Sequence, residues 1–99
     1  MSRALIERRL VDVSARLKRL RADIAVAEEQ LRYLEEEAEE ARMRALVSET
    51  PIADVEAGES RRHADALARH RDELRHKISG LVSEQDSLLD RIAADLPPA

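Results

Sequence analysis

The feature that most constrains this chain is an unbroken seam of apolar residues. Steps of four and three from Ile6 reach Leu10, Val13, Leu17, Leu20, Ile24, Ala27, Leu31, Leu34, Ala38, Ala41 and Ala45, and no polar residue interrupts the series. A heptad repeat held this long, with Leu10 at an a position and Val13 at a d position, specifies a helix that buries one stripe against another helix. The large residues end at Leu34 and alanines follow, so a partner backbone can come close toward residue 45. A second series, Ala53, Ala57, Ser60, Ala64, Leu67, Arg71, Leu74, Ile78, Leu81, Gln85, Leu88 and Ile92, keeps the same rhythm but is broken by Arg71 and Gln85.

Between the two series lies "LVSETPIADVEAGES", residues 46–60. Thr50 can cap a new helix with its hydroxyl, Pro51 suits the first helical position, and Asp54 complements the positive end of the helix dipole. The reading is an all-α chain: helix one over about 3–47, a turn at about 48–50, helix two over about 51–95, and a short proline-containing tail at 96–99. So short a link makes the helices antiparallel neighbours. The fold class that follows is an antiparallel two-helix coiled-coil hairpin, expected to assemble into a four-helix bundle or to dock on a partner, because a lone hairpin buries little apolar surface.

Charges test the register. A turn centred on Glu49 places core residues opposite one another when their numbers sum to about 98, as for Leu10 with Leu88 or Leu17 with Leu81. The flanking positions then bring Arg16 to Glu84, Asp23 to Lys77, Glu35 to Arg61, Arg42 to Asp54, Arg44 to Glu56 and Glu37 to His63. Arg9 with Arg91 and Arg21 with Arg75 are the like-charge exceptions. A shift by one heptad reverses the balance, leaving only Glu28 with Arg75 favourable while Asp23 with Glu84, Arg16 with Arg91 and Arg42 with Arg61 repel. Each exposed pair is worth less than about 1 kcal/mol, yet together they select partner and orientation.

Composition narrows the chemistry. The 99 residues include no Cys, Phe or Trp and one tyrosine, Tyr33. Disulfides and thiolate metal sites are therefore excluded, and a thick aromatic core is not expected. His63, His70 and His76 lack the i, i+4 spacing of a helical metal site. The sequence contains no glycine-rich phosphate loop and pairs no serine with a base, so an enzyme, a cofactor and a small-molecule substrate are not expected. No apolar run approaches the ~20 residues of a membrane span, and "MSRALIERRL" lacks the apolar core of a signal peptide, which makes a cytoplasmic protein the natural expectation.

Three surfaces remain as candidates. Val82, Leu89 and Leu96 recur every seven residues beside the second seam and form a candidate partner interface, through which a homodimer or another protein's helix would pack. Leu46, Val47, Ile52 and Val55 crowd the turn around Glu49; their simplest role is to pack that turn, and the alternative is a partner-binding tip with an apolar rim and an acidic apex. Arg3, Arg8 and Arg9 belong to a basic stretch, residues 1–22, that carries a net +5 against −9 for residues 23–59. Nucleic acid is not expected there, because aromatic side chains for base stacking are absent. The leading reading is a non-catalytic coiled-coil interaction or adaptor protein, with a basic-end binder of nucleic acid or a membrane surface as one alternative. The hairpin with an acid at its tip also looks like the coiled-coil arms of bacterial transcript-cleavage factors and related RNA polymerase secondary-channel regulators. That resemblance is one of shape. It implies transcription regulation through tip insertion and carries over no motif residue by residue.

Overall fold

The computed structural model describes residues 2–95, so Leu96 of the predicted stripe and the proline tail lie outside the described residues. Two long helices make up the fold, α1 over Arg3–Ser48 and α2 over Pro51–Ala94, and they pack as an antiparallel hairpin. The predicted boundaries fall within one residue of these.

Local chemistry accounts for each helix end. Ser2 caps α1: its hydroxyl accepts the Leu5 N–H at 3.3 Å and its carbonyl accepts the Ile6 N–H at 3.1 Å. At the other end the Glu49 N–H reaches the Ala45 carbonyl at 3.1 Å while Glu49 itself adopts φ 53°. This left-handed cap stops the helix and is a position that glycine ordinarily fills. Thr50 then caps α2, its Oγ1 accepting the Ala53 N–H at 3.2 Å, and Pro51 opens the helix where its missing N–H costs nothing. The link is thus two residues, Glu49 and Thr50, because Ser48 stays helical and donates its hydroxyl to the Arg44 carbonyl.

The helices contribute to two compact units, one formed by the chain up to Asp23 with the chain from Leu74 onward, the other by Ile24–Glu73. In the first, Ile6, Val13, Leu17, Leu81 and Leu88 form a buried cluster, with Leu10, Leu20, Ile78, Val82 and Ile92 packed against it. Gln85 donates to the Ser14 hydroxyl across the pair at 3.2 Å, in keeping with the predicted register. In the second unit, Ala27, Leu31, Ala38, Ala41 and Ala64 are buried, and Arg61 bonds Glu35 at 2.7 Å as the register requires. Every residue of both seams is buried or half-buried, Arg71 and Gln85 included. Arg71 is half-buried and donates from its guanidinium to Asp72 at 2.9 Å, so its charge is paired with an exposed carboxylate.

Two substitutions test this account by chemical denaturation. Leu17→Ala, at one of the most buried large side chains, is expected to cost roughly 2–5 kcal/mol. Glu49→Gly is expected to stabilise the fold by about 1 kcal/mol, since it removes the side-chain penalty of the left-handed backbone.

Candidate functional site

Both seams are consumed by the hairpin itself, so any working surface lies outside them. Of the predicted surfaces, the one around the turn is the most exposed. Val47 is 83% exposed, Ile52 72%, Leu46 60% and Val55 58%. These residues therefore do not pack the turn, which was their simplest predicted role. Near the turn the seam is occupied by small residues, Ala41 buried and Ala45, Ala53 and Ala57 half-buried, while the large side chains lie outside it. Met43, Val47, Ile52 and Ala53 instead line an open groove of about 540 Å³, with Arg44 and Glu56 among the polar residues at its walls.

A second groove of the same unit, about 590 Å³, is lined by Val26, Tyr33, Leu34 and Leu67 with Glu29 and Gln30. Tyr33 lies across it, 61% exposed, and its hydroxyl donates to Glu37 at 2.9 Å. That bond holds the phenol above its ordinary pKa. Sequence reasoning passed over Val26, Tyr33 and Met43. The available signal was the recurrence of Val26, Tyr33 and Val47 at multiples of seven residues, off the seam, where apolar residues are not needed for the hairpin.

The acids near the turn are less neutralised than the register suggested. Arg42 grips Glu39 on its own helix, at 2.7 and 3.1 Å, in place of Asp54. Asp54 and Glu56 are exposed, as is Glu49. The near neighbour wins because a contact at i, i+3 on one helix needs no second backbone to be in register.

The other two predicted surfaces are partly taken up by the chain itself. Val82 packs against the buried cluster, whereas Leu89 is half-exposed. Arg3 bonds Glu7 at 3.0 Å, and Arg9 makes a bidentate pair with Glu84, its Nη2 at 3.0 Å from Oε2. Arg9 was expected to face Arg91, with Arg16 on Glu84. The long arginine side chain reaches the carboxylate instead, and a like-charge contact becomes an ion pair. Arg8 is exposed. His63, His70 and His76 are also exposed, and among the described residues no three His, Asp or Glu side chains gather into a cluster that could hold a metal. Among those residues no helix is long and apolar enough to cross a membrane.

Three carboxylates in these pairs are held below the ordinary glutamate value of 4.5, chiefly by an arginine hydrogen bond: Glu35 by Arg61, Glu39 by Arg42 and Glu84 by Arg9. A carboxylate with a depressed pKa in the folded state contributes stability that is complete above its unfolded value and lost as pH falls through the folded one. Thermal stability is therefore expected to decline as pH drops below about 4.5. The double variant Glu35→Gln, Glu84→Gln should show a shallower decline over that interval in a melting series followed by circular dichroism.

No protein-family model, curated protein or solved structure matches this chain.

Proposed function

We propose that the protein is a non-catalytic interaction module that binds a protein surface through the turn-bearing unit. The observation that carries the reading is the set of large apolar side chains held in water around the turn: Leu46, Val47, Ile52 and Val55. A scattered exposed leucine needs no explanation, but a cluster edged by charged residues is the pattern of an interaction site. The groove beside it, lined by Met43, Val47 and Ile52, suits the side chains of a helix or strand, and apolar grooves of this kind commonly receive an amphipathic segment.

A second reading, insertion of the turn into a channel of a larger transcription complex, is favoured by one observation: Arg42 leaves Asp54 for Glu39, so Glu49, Asp54 and Glu56 keep an acidic character at the turn. The two readings place the binding energy in different atoms. In pull-downs with tagged protein, Val47→Lys with Ile52→Lys should abolish capture of a partner that the native chain retains. Glu49→Ala should leave that capture within about twofold, as expected for an exposed rim residue. Loss with Glu49→Ala and retention with the lysine pair would select channel insertion. Circular dichroism should show an unchanged fold in both variants, since none of these side chains is buried.

A further inference from the structure

The two units carry opposite charge. Ile24–Glu73 has fourteen acidic residues against seven arginines, a net −7, whereas the rest of the chain has seven acidic residues against ten basic ones, a net +3. Their grooves differ less sharply: those of Ile24–Glu73 are apolar, one with Glu29 at its wall and the other with Arg44 and Glu56, whereas those of the other unit carry Arg16, Arg19 and Lys77 with Asp23 in one case, about 430 Å³, and Arg9 and Arg91 with Glu84 in another, about 490 Å³.

We propose that the face bearing Val26, Tyr33 and Val47 is the docking surface for the basic unit of a second copy of this chain. The contact is made twice across a two-fold axis. This deepens the reading above, on which it rests, by naming the occupant. Charge decides between the ways in which two copies could meet. Placing Ile24–Glu73 against its own copy sets −7 against −7, whereas placing it on the unit around Arg16 and Arg19 sets −7 against +3, and the favourable contact forms twice. A reciprocal contact of this kind closes on itself and stops at a dimer. Tyr33 supplies the central anchor, a rigid amphipathic side chain of the type enriched at interface centres.

Analytical ultracentrifugation of the chain tests the proposal. A dimer at micromolar concentration is expected in about 0.1 M salt, with association weakened at least about tenfold in about 0.5 M salt as screening shortens the range of the charges. Tyr33→Glu should give a monomer with unchanged helicity. Arg16→Glu with Arg19→Glu should also dissociate the dimer, and adding Glu29→Arg with Glu37→Arg to the same chain should restore it. A monomer at all concentrations and salts would overturn the proposal, and so would a dimer indifferent to both salt and the arginine reversals. If the chain is monomeric yet captures a partner through Val47 and Ile52, this inference fails while the proposed function stands. If native capture survives the Val47→Lys, Ile52→Lys pair, the functional reading itself has failed.

Discussion

Backbone hydrogen bonds alone do not hold helices of 46 and 44 residues in one place in water; burial of the heptad seam between α1 and α2 does. The seam explains why the chain needs neither aromatic residues nor a second layer. It sets the antiparallel direction through the two-residue link, and by placing alanines near the turn it decides how closely the helices approach there. It also determines what is left over. Apart from Val82, which packs against the buried cluster from beside the seam, the large apolar side chains elsewhere on the helices are surplus to the hairpin. That surplus is concentrated around the turn.

Electrostatics plays a different part. α2 has its charges where the helix dipole favours them, Asp54 in the first turn and Arg91 in the last, whereas α1 has no acid in its first turn and no base in its last. The distribution in α1 does not serve the isolated helix. It makes sense as a surface property, with arginines crowding its first half and glutamates its second. Arg9 on Glu84 and Arg61 on Glu35 take up part of this charge inside the hairpin and fix its register. Arg3 with Glu7 and Arg42 with Glu39 take up more of it within α1 itself.

Much of this architecture was legible in the residues. Periodicity alone identified all the seam positions, and the threonine–proline pair marked the start of α2, because both signals depend on chemistry local to a few residues. The charge pairs were legible only where one partner is in reach. Glu35 and Arg61 met as the register required, but Arg42 took Glu39 in place of Asp54 and Arg9 took the carboxylate expected for Arg16, since a long flexible side chain selects among neighbours that sequence spacing cannot rank. Glu49 gave no warning of its left-handed backbone, a conformation set by the need to close the turn and not by glutamate's own preference. The exposure of Leu46, Val47, Ile52 and Val55 was ambiguous for a related reason. Whether apolar residues beside a turn are covered depends on how tightly the two helices close, and that is a property of the packed pair.

The central physical claim is that one chain satisfies its own seam in this register and leaves the turn-bearing face for others. The measurement that tests it most directly is disulfide trapping, on a background that contains no native cysteine. Cysteines at Ser14 and Gln85, whose side chains bond across the hairpin at 3.2 Å, should oxidise to a crosslink within a single chain, in high yield and independent of protein concentration. Crosslinks found chiefly between chains, rising with concentration, would mean that the seams are shared among molecules and would contradict the account.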